Sequence, residues 1–140
     1  MDKIVLEEDI VVYCITATSF PEGVLAAHQK LHAVFPVGER RFFGISRPEN
    51  GVIVYKAAAE VLEKDKVEQF NYETLMIKKG NYRCMTILNF MEDEQRIGKA
   101  FGELISSPDI DRDGYCIEYY YNDKDVKCMV RLQDHDLQER

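Results

Sequence analysis

Residues 9–16 run Asp9, Ile10, Val11, Val12, Tyr13, Cys14, Ile15 and Thr16, a dense β-branched and aromatic stretch that predicts a mostly buried strand. The pattern then changes period. Ser19-Phe20-Pro21-Glu22 has the Ser-x-x-Glu spacing of a helix-capping box, with Pro21 in a first turn where its missing N–H is not needed. A helix from there to about Val34 places Val24, Leu25, Leu31 and Phe35 on one face with His28 and His32, and Pro36 ends it. Strand-like segments follow at 41–46 and 51–59, joined around Pro48-Glu49-Asn50-Gly51, whose Asn-Gly step suits a tight turn.

The same order recurs after the charged connector Glu63-Lys64-Asp65-Lys66. Residues 73–89 are strand-like, interrupted at Lys79-Gly80-Asn81, where Gly80 supplies a bulge or bend. Glu92-Asp93-Glu94 puts acids in the first turn of a second helix, and Ile97, Ala100, Phe101, Leu104 and Ile105 form its buried stripe ahead of Pro108. Residues 115–122 and 126–132 pair as a hairpin around Asn122-Asp123-Lys124-Asp125. The expected fold is α+β. Two pseudo-repeated β-α-β-β units, about 9–59 and 72–132, form a curved, mainly antiparallel sheet with two helices and a central cleft. One helix cannot cover both faces of a unit's own sheet, so the units join, and the cleft between them is the expected ligand site.

A chain of 140 residues is the size of one domain, and 46% hydrophobic with 31% charged residues excludes a disordered polymer. No apolar run approaches the roughly eighteen residues of a membrane span, and the N-terminal residues lack a secretory pattern, so a cytoplasmic protein is expected. Cys14, Cys84, Cys116 and Cys128 are far apart, each in a strand-like segment, which reads as reduced core cysteines. The net charge of −7 opposes a phosphate backbone, and no basic cluster exceeds the pairs Arg40-Arg41 and Lys78-Lys79. Direct nucleic-acid binding is not expected; the same charge mildly favours cationic small molecules.

The candidate chemistry centres on Glu118. It lies in Gly114-Tyr115-Cys116-Ile117-Glu118-Tyr119-Tyr120-Tyr121-Asn122, where nearly every neighbour suits a half-buried strand. A carboxylate buried there requires an internal Arg or Lys, a bound proton, or a cation from outside. Arg41, Lys56 and Arg131 are the internal cations that strand membership brings nearest, and periodicity alone does not say which way Glu118 points. Tyr120, two residues on, shares its face.

Other constellations carry less. His28 and His32 have the i, i+4 spacing of a helical metal pair but lack the Glu of a His-Glu-x-x-His motif, and His135 stands near the C-terminal tail. Asp109-Ile110-Asp111-Arg112-Asp113-Gly114 imitates the opening of a calcium loop, yet position twelve is Tyr120 and a strand follows. No metal or cofactor is therefore expected. With no Gly-x-Ser-x-Gly elbow and no phosphate-cradling glycine loop, no catalytic residue is assigned.

Four stretches taken together resemble the GyrI-like small-molecule-binding domain, the bacterial effector-binding family, in its stand-alone form. They are residues 43–46 with the turn to Gly51, residues 54–60, residues 77–82 and residues 114–122. The resemblance implies two strand-helix-strand-strand modules around a cleft that accepts flat, lipophilic, often cationic compounds. Family members include multidrug-binding sensors in transcription regulation, gyrase inhibitors and hydrolases of cyclopropane-bearing toxins. The family's pocket glutamate falls on Glu118. Its first-helix aromatic, usually Trp, falls on His28, followed by Leu31, and this chain has no Trp.

The implied function is binding of a lipophilic, cationic or aromatic molecule. Glu118 is the counter-charge, and Tyr120, Tyr55, Phe43 and His28 line the site. The alternatives are a hydrolase of strained electrophiles, with Glu118 as general base, and a protein-interaction module without a ligand. The protein partner is unspecified, and a role in transcription requires another chain to bind DNA.

Overall fold

A computed structural model describes residues 1–134; His135 lies outside them. In chain order the elements are β1 (Asp2–Leu6), β2 (Ile10–Thr16), α1 (Val24–Val34), β3 (Phe42–Glu49), β4 (Val52–Glu60), β5 (Glu73–Ile77), β6 (Gly80–Ile87), α2 (Gln95–Leu104), β7 (Cys116–Tyr120) and β8 (Val126–Arg131). The expected α+β class holds, and all eight strands form one antiparallel sheet in the order β1-β6-β8-β7-β3-β4-β2-β5. Asn50 and Gly51, with φ of 54° and 81°, make the tight β3–β4 turn that the Asn-Gly step suggests.

The sheet has to curl. Only Lys78 and Lys79 separate β5 from β6, yet these strands stand six places apart in the order. A flat sheet would put them roughly 29 Å apart, whereas the step from Ile77 to Gly80 reaches about 11 Å at full extension. Curling into a half-barrel brings the edges together. Ile10, Val12, Phe43, Ile45, Ile77, Tyr82, Ile117 and Met129, from strands across the whole sheet, then share one inner cluster.

Alternate residues face outward and are covered by the helices. Tyr13, Phe42, Ala57 and Ala59 pack beneath Ala27 and Leu31 of α1, and Val126, Cys128 and Val130 beneath Ala100 and Leu104 of α2. Helix α1 rests on β2 and β4, and α2 on β6 and β8, so β7 and β3 form the floor of a cleft between them. No helix is long and apolar enough to cross a membrane among the described residues, and all four cysteines are free thiols.

Several local expectations are corrected. The capping box does not form: residues 20–23 make a turn, the Ser19 carbonyl accepts the Gly23 N–H at 3.1 Å, and α1 begins at Val24 without a side-chain cap. Gly23 lies so tightly on this turn that a β-carbon would stand 2.8 Å from the Ser19 oxygen. Leu25 is 65% exposed because the contact stripe of α1 runs through Ala27, Leu31 and Phe35. Glu92, Asp93 and Glu94 precede α2, which starts at Gln95, and Ile105 is exposed because the helix ends at Leu104. Strand β1, whose short charged segment carried no strand pattern, pairs with β6 at the sheet edge.

Candidate functional site

Gly44 of β3 and Glu118 of β7 face each other across the central strand pair. Tyr55 of β4 reaches across Gly44: a β-carbon there would stand 2.0 Å from the Tyr55 hydroxyl oxygen and 2.7 Å from Glu118 Oε1. The missing side chain makes room for a hydrogen bond. Tyr55 donates its hydroxyl to Glu118 Oε1 at 2.8 Å, and Tyr120, on the same face, donates to the same oxygen. His28, projecting from α1, places Nε2 2.7 Å from the Tyr55 hydroxyl and stands edge-on to Tyr55 and Tyr120, with centroids at 5.7 and 5.3 Å.

Two aromatic residues that the sequence did not single out complete the walls. Phe20, in the turn before α1, stacks on Tyr55 at 5.9 Å, and Phe90, in a short 3-10 turn before α2, meets Tyr120 edge-on at 5.4 Å. Residues in turns carry no periodic signal, so nothing in the spacing marks either one.

Glu118 is only 7% exposed, and no Arg or Lys pairs with it among the described residues. The three cations nearest by strand membership are engaged elsewhere. Arg41 pairs with Glu60 at 2.6 Å, Lys56 with Glu73 at 2.5 Å, and Arg131 with Asp111 and Asp134, both at 3.3 Å. Burial therefore pushes the Glu118 carboxyl above its ordinary value, opposed by the two hydroxyl donors. Burial, reinforced by the Glu118 charge, holds the Tyr55 and Tyr120 hydroxyls well above the usual range, so both remain protonated. The His28 imidazole is lowered to about 4, chiefly by burial with an added contribution from His32, and is neutral at pH 7.

Both tyrosine protons converge on Oε1. Glu118 Oε2 receives no hydrogen bond from the described residues and is not sealed from solvent. It is the carboxyl oxygen left without a hydrogen-bond partner among the described residues.

The structure brings Glu118, Tyr120, Tyr55 and His28 together; Phe43 is not with them. Phe43 lies on the opposite face, 2% exposed in the inner cluster and stacked on Tyr119 at 5.1 Å. It precedes Gly44, and adjacent strand residues point to opposite faces. His32 packs on Phe42 at 4.4 Å, and no cluster of three or more metal-ligating side chains occurs among the described residues. Two of the three acids of the calcium-like segment pair with arginines, Asp109 with Arg83 at 2.9 Å and Asp111 with Arg131.

These aromatic side chains stand around the Glu118 carboxyl. A cavity of about 50 Å³ lies elsewhere, at Ile77, Tyr82, Tyr115 and Arg131, and a surface groove of about 410 Å³ runs along Glu8, Asp9, Arg41 and Glu63; Glu118 borders neither.

Several solved structures share this fold. An integron cassette protein from the mobile metagenome of Vibrio cholerae superposes with a TM-score of 0.65 at 12% identity, covering 94% of this chain and 95% of its own. SAV2435, solved bound to tetraphenylphosphonium, gives 0.66 at 9% identity over 99% of this chain and 96% of its own. A Staphylococcus aureus protein described as a bacterial transcription regulation protein gives 0.57 at 10% identity, over 93% and 97%. At such identities the likeness establishes the fold. No family model matches the sequence, and no curated protein matches it.

Proposed function

We propose that this chain is a stand-alone GyrI-like binding domain that senses or sequesters lipophilic cations in the cytoplasm, with Glu118 as counter-ion and Tyr55, Tyr120 and His28 as the wall of its site. The observation that carries this reading is a buried carboxyl with no Arg or Lys partner among the described residues, one oxygen held by two tyrosines and the other without a hydrogen bond from them. Removing a carboxylate from water is unfavourable unless a positive charge or a proton compensates, and a cation entering the cleft supplies that charge. Aromatic faces beside it add cation–π attraction of up to about 2 kcal/mol when desolvated. SAV2435, of the same fold, binds a lipophilic cation, which agrees with this chemistry.

The hydrolase alternative has one observation in its favour, a Glu118 carboxyl that burial raises above its ordinary value, the direction a general base needs. It requires turnover of strained electrophiles, which product analysis by mass spectrometry detects; stoichiometric binding without product excludes it.

Calorimetric titration with tetraphenylphosphonium tests the counter-ion. Glu118→Gln keeps the shape and removes the charge, and it is expected to weaken binding at least tenfold with an unchanged circular dichroism spectrum. Unchanged affinity in a folded variant would overturn the proposal.

A further inference from the structure

The hydrogen atoms of the Glu118 cluster narrow the ligand class further. Tyr55 and Tyr120 each have one hydroxyl proton, and both protons go to Glu118 Oε1. Since the Tyr55 proton is engaged, the contact of 2.7 Å between His28 Nε2 and the Tyr55 oxygen is a hydrogen bond only if Nε2 carries the hydrogen and donates it. A neutral imidazole in that tautomer has its lone pair on Nδ1. The low His28 pKa, about 4, agrees with the neutral form. Nδ1, like Glu118 Oε2, makes no hydrogen bond to the described residues and is not sealed from solvent.

With Glu118 ionised, every polar hydrogen of the cluster is directed inward, and the atoms left for a ligand are acceptors. We propose that the site selects cations bearing N–H donors on an aromatic frame, such as protonated amines or amidiniums, over permanently charged ions of similar shape that lack N–H groups. Glu118 Oε2 and His28 Nδ1 are the accepting atoms. The inference rests on the counter-ion reading and specifies its ligand class. A phosphonium or quaternary ammonium ion satisfies only the charge. An N–H cation satisfies the charge and pairs the acceptors, and charge-assisted hydrogen bonds in a desolvated site are the stronger kind. Sites built around hydrogen bonds discriminate because a mismatched ligand leaves buried polar atoms unpaired.

The probes are 4-phenylbenzylammonium and 4-phenylbenzyltrimethylammonium, titrated calorimetrically at pH 7.5 beside tetraphenylphosphonium. Wild-type protein is expected to bind the primary ammonium roughly tenfold more tightly than the quaternary one. His28→Phe keeps an aromatic ring against Tyr55 and Tyr120 but removes the nitrogens, and it is expected to shrink the preference severalfold. Equal affinities in the wild type, failure of both probes where tetraphenylphosphonium binds, or a preference that persists in folded His28→Phe would each overturn the inference. If His28→Phe does not fold, the wild-type comparison decides. Glu118-dependent tetraphenylphosphonium binding without an N–H preference removes this inference alone; Glu118-independent binding removes the counter-ion reading as well.

Discussion

A methyl group on Gly44 would collide with the Tyr55 hydroxyl and Glu118 Oε1 in the middle of a paired strand, where the backbone has little room to move. Gly44→Ala is expected to cost about 1–3 kcal/mol of stability through overpacking. It should also push Tyr55 off the carboxyl and weaken tetraphenylphosphonium binding; thermal melts and calorimetry check both, and a variant with wild-type stability and affinity would contradict the geometry. Glu118 and Tyr120 were legible in the sequence because a two-residue step keeps them on one face. Gly44 was not, since its importance comes from facing Glu118 across strands 74 residues apart in sequence, a register that periodicity does not contain. The same missing register put Phe43 on the wrong face.

Between elements, the β7–β8 turn sets the far wall of the cleft. The Asn89 N–H and the Asn122 side-chain amide both donate to the Asp125 carboxylate at 2.9 Å, and the Lys124 carbonyl accepts the Phe90 N–H at 3.0 Å. These bonds seat Phe90 against Tyr120. Asp125 is 6% exposed, so Asp125→Ala orphans the Asn89 N–H and is expected to cost about 1–3 kcal/mol. Hydrogen exchange at Asn89 and Phe90 should accelerate; unchanged protection at both amides would show that the turn does not hold the wall. The hairpin and both helices were legible from period and turn residues. Their ends were not: Ser19 and Glu22 have capping spacing, yet the backbone of residues 20–23 is already committed to a turn.

Across the whole molecule, β1 pairs with β6 while β5 pairs with β2, so each strand at an edge serves the half of the sheet built from the other end of the chain. The inner cluster likewise joins Ile10, Val12 and Phe43 to Tyr82, Ile117 and Met129. A fragment of residues 72–132 would lose β1 beside β6, β3 beside β7 and half of that cluster. It is expected to be unfolded alone, with a collapsed amide-proton spectrum; a dispersed, native-like spectrum would show that the half is autonomous. The sequence carried the recurring strand-helix-strand-strand order, but not this exchange of edges, which depends on curling over a two-residue link. The curl and the two helices leave the β3–β7 floor between them, and there the proposed counter-ion, Glu118, is buried. Carbon-13 NMR titration of the Glu118 carboxyl, assigned with Glu118→Gln, tests that role most directly in free and tetraphenylphosphonium-loaded protein. The expected result is a pKa above that of an ordinary glutamate in the free protein, falling when the cation binds, because a neighbouring positive charge favours the ionised form. An ordinary pKa that does not respond to the cation would contradict it.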